Sequence, residues 1–416
     1  MTRPAAAVLL TGSELLDGRT RDRNGHYLGG ALSRRGFRVS HVLVSPDDPD
    51  GLRRDLRFLL DERPEVLVIS GGLGTTHDDL TAETVAAVTE RPLADDPEAL
   101  AMVTAATRRV AERRGLALDE LLPEMARQAR LPAGSRALAP AGVAPGFVTP
   151  VAGTAIVALP GVPWEVEAMW PPVLEELAEA ARAEAPATLS LRFYGWGEVQ
   201  VAALLRTCAT DRLRVAITAS YGEVTVTAGY EHGDAAAGAQ ADALAERLAE
   251  AGPVFSRDGR GVDQIVADRL RGREATVGTA ESCTGGLLGG RLTELPGSSD
   301  YVVGGLIVYS NAAKHALLGV PNELLETHGA VSAPVAQSMA EGARKALATD
   351  YAISVTGIAG PDGGTPDKPV GLVFIGCAAA AGETLVRRHE FPGDRATVRA
   401  WSVAAALHLL RQSLER

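Results

Sequence analysis

Short apolar runs that end in a glycine-rich turn and lead into a segment of helical spacing recur in both halves of this 416-residue chain. Val66–Ser70 runs directly into Gly71–Gly74 (GGLG), and the strand-like segment Thr276–Thr279 leads into Glu281–Gly286 (ESCTGG). Strands that alternate with helices in this way form mainly parallel sheets with helices on both faces. We therefore predict an α/β fold whose ligands bind at the carboxyl ends of the strands.

The length of the chain predicts two or three domains. We expect two three-layer α/β domains with mainly parallel sheets, residues 1–172 and 257–416, joined by a small α+β module at residues 173–253. The module contains an alternating strand, Glu223–Tyr230, and an alanine-rich helix, Ala235–Ala251. Pro171 and Pro172 mark the first boundary, and an end near Ala187, after the Ala/Glu-rich helix, is the alternative.

The formal net charge of −11 argues against non-specific binding to nucleic acid or to an anionic membrane, because both partners are polyanions. Cys208, Cys283 and Cys377 are far apart and have neither a disulfide framework nor metal-ligand spacing, which favours a reducing cytoplasm. No apolar run approaches the ~18 residues of a membrane span. We expect a cytoplasmic protein with neither a membrane nor a nucleic-acid partner.

Three polar segments in the last part of the chain each follow a predicted strand: Glu281–Gly286, Tyr309–Lys314 and Thr356–Gly364. Ser282 is a nucleophile only if a base lies within hydrogen-bond reach. Lys314, with a lowered pKa, fits that role better than a histidine, because it closely follows a strand end. A Ser–Lys pair is suited to attack on an amide or ester carbonyl, and backbone N–H groups of the two glycine-rich turns would stabilise the oxyanion.

The same residues have structural interpretations. Ser282 and Thr284 before Gly285 and Gly286 are typical of a helix N-cap, and a single lysine is typically a surface group. Cys283 is an alternative nucleophile, but no basic residue adjoins it and buried cysteines are common, so we favour a core position.

The glycine loop of the first domain is followed directly by carboxylates. Consecutive glycines at Gly71–Gly74 allow backbone N–H groups to approach a phosphate, whereas Asp78 and Asp79 would repel it unless a hard cation bridges them. Glu14 and Asp47, together with Asp48, come at the ends of neighbouring predicted strands and extend this candidate metal set. The alternative is a glycine turn whose aspartates cap the next helix.

Four motifs near the C-terminus closely resemble the CinA C-terminal domain, the nicotinamide-nucleotide amidohydrolase (PncC) domain, over about residues 257–412. They are Glu281–Gly286, Tyr309–Lys314, His328–Ser332 and Thr356–Gly364. The resemblance implies hydrolysis of nicotinamide mononucleotide to nicotinate mononucleotide and ammonia without a cofactor. Ser282 would attack the carboxamide, Lys314 would activate it, Tyr309 and Thr356 would position or polarise the reacting groups, and Arg399 would meet the phosphate. The other implied substrate-binding residues are Thr284, Gly285, Gly286, Gly357 and Gly360.

The first domain resembles the MoaB/MogA-like molybdopterin-binding fold as it occurs in CinA proteins. The resemblance is carried by Gly12–Gly18, Asn24, Gly71–Asp79, Ala144–Phe147 and Leu159–Pro163. It implies hydrolysis of ADP-ribose with a divalent metal (Mg, Mn or Co), a KH-like middle module and a homodimer. The implied ligand-binding residues are Asn24, Gly71, Gly72 and Gly74, and the implied metal ligands are Glu14, Asp47, Asp78 and Asp79. The chain departs from the family pattern at Thr75, Ala139 and Val143, which removes an amide and a hydroxyl near the expected ligand.

The sequence therefore predicts an enzyme that recycles breakdown products of NAD. Its main activity would be deamidation of nicotinamide mononucleotide, with ADP-ribose cleavage as a second activity. Two other classes stay open: a protein that binds a nucleotide or pterin without turnover, and a competence-associated interaction protein.

Overall fold

The chain divides after Pro186 into two units, which a computed structural model describes over residues 3–416. The structure differs from the boundary expected at residue 172, because Pro171 and Pro172 lie inside a helix that runs over Pro163–Ala180. Trp170 of that helix is fully buried, and its packing holds the helix together across two residues that lack an N–H donor. The alternative boundary near Ala187 coincides with the division, and the middle module lies in the same unit as the C-terminal domain.

The first unit alternates strands and helices, as the sequence predicts. Helix starts follow the expected capping chemistry: Asp96, before Pro97, accepts a hydrogen bond from the Ala99 backbone N–H. The strands are β1 (Ala5–Thr11), β2 (Arg38–Ser45), β3 (Val66–Ser70), β4 (Leu93–Asp95), β5 (Arg130–Pro132), β6 (Arg136–Leu138), β7 (Gly146–Val151) and β8 (Thr154–Leu159). The α-helices are α1 (Ser13–Leu16), α2 (Asn24–Arg34), α3 (Pro49–Asp61), α4 (Thr81–Val88), α5 (Pro97–Arg114), α6 (Leu118–Met125) and α7 (Pro163–Ala180).

The main sheet of the first unit has the order β2-β1-β3-β8-β7-β6, in which β2, β1, β3 and β8 are parallel. Side chains alternate along β1: Ala6 and Val8 pack with α2 and α7, whereas Ala7 and Leu9 pack with α3, α4 and α5 on the other face. A core on each face makes the unit a three-layer α/β structure and brings four parallel strand ends to one edge of the sheet.

The second unit holds two sheets. Its strands are β9 (Ala187–Tyr194), β10 (Arg214–Ser220), β11 (Glu223–Tyr230), β12 (Val254–Ser256), β13 (Val277–Glu281), β14 (Val302–Ile307), β15 (Tyr351–Gly357), β16 (Leu372–Ala379) and β17 (Leu385–Glu390). Its α-helices are α8 (Glu198–Leu205), α9 (Ala235–Ala251), α10 (Val262–Gly272), α11 (Leu287–Leu292), α12 (Asn311–Leu318), α13 (Asn322–His328), α14 (Ala333–Leu347) and α15 (Arg395–Ser413).

The two sheets of this unit differ in strand direction. The smaller sheet is antiparallel in the order β10-β11-β9-β12, and one face of β11 packs on α9, as alternation in its sequence predicts. The larger sheet has the order β14-β13-β15-β16-β17, with β14, β13 and β15 parallel. Helices α10, α11 and α15 cover one face of it and α12–α14 cover the other. The predicted α/β class is confirmed.

No helix within residues 3–416 is long and apolar enough to cross a membrane.

Candidate functional site

Ser282 and Lys314 are brought together by two neighbouring parallel strands. Ser282 directly follows β13, and its backbone N–H donates to the Val355 carbonyl of β15 at 2.9 Å. Helix α12 begins shortly after β14, where the Ser310 hydroxyl caps it by accepting from the Ala313 N–H. Lys314 lies in the first turn of α12 and points inward, so that its amine reaches the end of β13.

The Lys314 side chain is buried, with 1% of its surface exposed. Its Nζ lies 3.1 Å from Ser282 Oγ, 2.9 Å from the Val308 carbonyl and 3.2 Å from the Tyr309 carbonyl. Burial lowers the pKa of Lys314, and among the described residues the amine makes no ion pair that would restore it. Lys314 therefore becomes neutral at a lower pH than an exposed lysine does.

A neutral amine has two hydrogens and one lone pair, and the three contacts of Lys314 match that inventory. Nζ donates to Ser282 Oγ and to the two backbone carbonyls; in the neutral amine the carbonyls accept both hydrogens and the lone pair is left for the Ser282 hydroxyl proton. This arrangement can remove the hydroxyl proton as the oxygen attacks a carbonyl carbon.

Glu281 has a structural role that the sequence analysis did not assign. Its buried carboxylate accepts hydrogen bonds from the backbone N–H groups of Gly286 (2.9 Å), Leu288 (3.0 Å) and Gly289 (2.8 Å). These are donors at the start of α11, so the expectation that this helix start offers free N–H groups to a ligand is corrected. The sequence signal for this role is a carboxylate between an apolar strand and a glycine turn, because a carboxylate that is buried there needs several hydrogen-bond donors.

The turn keeps two other donors. The backbone N–H groups of Cys283 and Thr284 have no hydrogen-bond partner within residues 3–416, and both directly follow Ser282. The Thr284 hydroxyl is also buried without a partner in the described structure. Cys283 lies in the apolar core, as predicted, and burial raises the pKa of its thiol to about 11, so that the thiolate needed for nucleophilic attack is scarce near neutral pH.

The structure places Tyr309 and Thr356 differently from the roles implied by the resemblance. The Tyr309 side chain is 64% exposed, and the residue contacts the Ser–Lys pair through its carbonyl. The buried Thr356 hydroxyl donates to the Ala330 carbonyl at 2.8 Å. It therefore anchors the His328–Ser332 segment beside the glycine-rich loop, and its proton is engaged there.

Helix α15 connects the two glycine-rich loops. Arg399 Nη2 donates to the Thr284 carbonyl at 2.7 Å, while its buried Nε has no partner in the described chain. One turn earlier, Arg395 Nη1 donates to the Gly360 carbonyl at 3.0 Å. Arg399 is thus close to Thr284 and Gly285 of the Ser282 turn.

Gly357 has no space for a side chain, since a Cβ there would lie 2.8 Å from the Leu372 carbonyl oxygen.

The first unit contains a cavity of about 1400 Å³ at the edge where its parallel strands end. Predicted residues that line it are Glu14, Asp47, Gly71, Gly72, Gly74, Asp78 and Asp79. Asn24 lies outside this lining. Its Nδ2 donates to the Ser70 hydroxyl at 3.0 Å and to the Gly161 carbonyl at 2.8 Å, so it joins the end of β3 to the loop after β8.

The carboxylates of this cavity do not form a ready metal site. One oxygen of Asp79 accepts hydrogen bonds from the Thr76 N–H (2.9 Å) and hydroxyl (2.6 Å), and one oxygen of Asp47 accepts from the Ser13 N–H (2.7 Å). Within residues 3–416, no three His, Cys, Asp or Glu side chains are grouped closely enough to hold a metal ion. The four predicted ligands share a cavity, but they are not drawn together into one ligand set. Nor does Asp79 cap α4, since its acceptor bonds stay within its own turn.

Two family models match the chain: the CinA C-terminal domain over residues 260–414 and the probable molybdopterin binding domain over residues 7–179. The fold and the two matches define a protein that combines these two α/β domains. It is similar to the CinA-like protein of Mycobacterium avium (strain 104), at 40% identity over 98% of each chain. The CinA-like protein of Mycobacterium tuberculosis (strain ATCC 25177 / H37Ra) is 38% identical over 98% of this chain and 97% of its own. The chain belongs to the CinA-like protein family.

Solved structures match parts of the chain. The competence/damage inducible protein CihA from Agrobacterium tumefaciens is 41% identical over 38% of this chain and 98% of its own, with a TM-score of 0.36. The protein CinA from Thermoplasma acidophilum is 33% identical over 42% of this chain and 98% of its own, with a TM-score of 0.37.

Proposed function

We propose that the second unit hydrolyses the carboxamide of nicotinamide mononucleotide, giving nicotinate mononucleotide and ammonia. The observation that carries this proposal is the 3.1 Å contact between Lys314 Nζ and Ser282 Oγ in a site that excludes most water. A Ser–Lys pair is suited to amide hydrolysis, and the four motifs around it resemble those of nicotinamide-nucleotide amidohydrolases.

The first half of the reaction forms an ester. Lys314 takes the hydroxyl proton as Ser282 Oγ bonds to the carboxamide carbon, and the negative charge moves to the carboxamide oxygen. The N–H groups of Cys283 and Thr284, which directly follow Ser282 and donate to no other residue within 3–416, are candidate donors to that oxygen. The carbon–nitrogen bond then breaks, and Lys314 returns the proton to the leaving group, which departs as ammonia.

The second half releases the acid. Water attacks the ester carbon while Lys314 accepts one of its protons, and the carbon–Ser282 bond breaks. The proton returns to Ser282 Oγ, which restores the starting pair. These steps use side chains and backbone of this chain alone, and Arg399, which donates to the Thr284 carbonyl, is the candidate for contact with the substrate phosphate.

The test is ammonia release from nicotinamide mononucleotide by the full chain. We expect Ser282→Ala to abolish release, because no other side chain in this turn combines a hydroxyl with the lysine contact. Cys283→Ala is the matched control, since it removes the adjacent nucleophile and should leave release within a few-fold of the unchanged chain. Full activity in Ser282→Ala, or loss in Cys283→Ala with an intact fold, would contradict the assigned nucleophile.

For the first unit we propose ligand binding, because a cavity lies where its strands end. Metal-dependent cleavage of ADP-ribose has weaker support, because the carboxylates there do not form a ligand set. We therefore expect no cleavage when the full chain is incubated with ADP-ribose and Mg²⁺, Mn²⁺ or Co²⁺. Release of AMP that disappears in Asp78→Asn would contradict this expectation.

A further inference from the structure

Helix α15 makes two sets of contacts on different faces. Arg395 Nη1 donates to the Gly360 carbonyl at 3.0 Å. One turn later, Arg399 Nη2 donates to the Thr284 carbonyl at 2.7 Å, so both arginines reach the glycine-rich loops from one face of the helix. Trp401 follows Arg399 by two residues, which corresponds to a rotation of about 200° around the helix axis. Its side chain therefore belongs to the opposite face.

The tip of the β10–β11 hairpin, in the middle module, packs on that opposite face. The Tyr221 ring meets Trp401 edge-on, with 6.4 Å between the ring centroids and 86° between the ring planes. Gly222 leaves no room for a side chain, because a Cβ there would lie 2.8 Å from Trp401 Cζ3. His408, seven residues after Trp401 and on the same face, has its Nε2 2.9 Å from a carboxylate oxygen of Glu223. Three consecutive residues of the hairpin therefore contact α15.

The first two turns of α15, which carry both arginines, have few buried contacts with their own domain. Only Val398 is buried among residues 395–401, whereas residues 402–411 are buried throughout. Trp401 is half-buried and stacks on Phe391 of the C-terminal domain, with 5.5 Å between the ring centroids. Segments with few buried contacts move at a small cost in free energy. The hairpin that packs on Trp401 therefore contributes to fixing the position of these two turns.

We propose that Tyr221 and Trp401 are positioning residues that hold Arg399 in place beside the Ser282 turn. The middle module would then act on the site through α15 and would be more than a connector. This inference rests on the proposed function of the second unit, in which Arg399 meets the substrate phosphate. A displacement of a binding group by about 1 Å can reduce a rate by roughly 10²-fold, so a contact on the far face of the helix is sufficient to affect the reaction.

The test compares ammonia release from nicotinamide mononucleotide by the full chain, by Tyr221→Asn and by Tyr221→Phe. Asparagine removes the ring and tolerates the positive φ of 46° at this position, whereas phenylalanine keeps the ring. We expect Tyr221→Asn to raise KM about three- to tenfold, the range that an aromatic pair contributes, with kcat within about twofold. KM changes alone because a phosphate contact stabilises the bound substrate and the transition state equally. Tyr221→Phe is the matched control and should behave as the unchanged chain does.

The path through Arg399 is tested by a double-mutant cycle. Tyr221→Asn should change KM in the unchanged chain but not in Arg399→Gln, because the residue through which the hairpin acts is then absent. Equal KM values for Tyr221→Asn and Tyr221→Phe would overturn the proposal, as would effects of Tyr221→Asn and Arg399→Gln that multiply. Circular dichroism and the thermal unfolding temperature of each variant separate a displaced helix from a lost fold.

Hydrogen exchange separates this proposal from the deamidase activity, because it needs no substrate. We expect the backbone amides of residues 398–402 to exchange about three- to tenfold faster in Tyr221→Asn than in Tyr221→Phe. Equal exchange rates in the two variants would overturn the positioning role, whether or not the chain releases ammonia. If the unchanged chain releases no ammonia, the proposed function fails, and faster exchange in Tyr221→Asn would still support the hairpin as the support of α15.

Discussion

At the scale of single residues, the proposed reaction depends on the protonation state of Lys314. Burial lowers the pKa of this lysine, and only its neutral form can accept the serine proton. We therefore expect kcat/KM for ammonia release to fall as the pH falls through the lowered pKa and to level off above it. A pH series on the unchanged chain measures this, and a rate that is flat or decreases with rising pH would contradict the assignment of Lys314 as the base.

Lys314→Met sharpens the same test. We expect it to reduce kcat by about 10²–10⁴-fold, the usual contribution of a positioned general base, and to remove the dependence on pH. Lys345→Met is a suitable control, because Lys345 lies on the outer side of α14 and has no contact with the Ser282 turn. If Lys314→Met retained the pH profile, another group would have to supply the base.

At the scale of elements, the buried carboxylate of Glu281 stabilises the turn that presents Ser282. Glu281→Gln replaces one acceptor oxygen with an NH₂ donor, which then faces either the Gly289 N–H or the N–H groups of Gly286 and Leu288. We expect the free energy of unfolding to fall by about 1–3 kcal/mol, because buried donors lose their partner. Denaturant unfolding, followed in the transition of the second unit, measures this change in the free energy of unfolding. Ammonia release should also decline, because the turn that carries Ser282 becomes less ordered.

Glu326→Gln gives the reference for that substitution. Glu326 is exposed on α13, so the same chemical change there should alter stability by less than about 0.5 kcal/mol. Equal unfolding midpoints for the two variants would mean that the cap on α11 contributes nothing, and Glu281 would then need another explanation.

The elements that the sequence predicted are those with strong apolar periodicity, and the ones that it missed are short or weakly apolar. β3 is a continuous buried run and was predicted at its observed bounds. β10 was not predicted, because its apolar face is short: Val215 and Ile217 pack half-buried against the core of the module, and the other side chains of the strand are exposed.

The candidate site was also predictable from the sequence only in part. The sequence predicted Ser282 and Lys314 at the same edge of the sheet, since parallel neighbours end at one edge, and the structure brings their polar atoms within 3.1 Å. The hydrogen bonds of Glu281, Thr356 and Asp79 were not predictable, because each depends on which backbone group a folded loop presents. The motifs therefore located the Ser282–Lys314 pair but did not reveal that the Thr356 hydroxyl anchors a loop.

At the scale of the whole molecule, the middle module and the C-terminal α/β domain share a buried polar contact. His408 of α15 is fully buried, its Nε2 lies 2.9 Å from a carboxylate oxygen of Glu223, and its ring stacks on Tyr194 at 3.7 Å between centroids. Phe255 packs edge-on against the same imidazole. Burial lowers the pKa of His408, so it is held neutral, and this contact loses stability as the pH falls below the ordinary histidine value of about 6.5.

Two truncated chains test whether this contact makes residues 187–416 one folding unit. We expect residues 187–416 to fold and to release ammonia from nicotinamide mononucleotide, because the Ser–Lys pair and its neighbours lie within them. Residues 257–416 would leave His408 and the aromatic face of α15 uncovered, and each kcal/mol lost should lower the unfolding temperature by roughly 2–4 °C in a chain of this size. Thermal unfolding at pH 7.5 and pH 5.5 measures both effects, and the acid-induced decrease should be larger in the longer chain, since only it buries His408. Equal unfolding temperatures for the two chains would mean that the module and the domain fold independently and that the buried histidine contributes nothing to joining them.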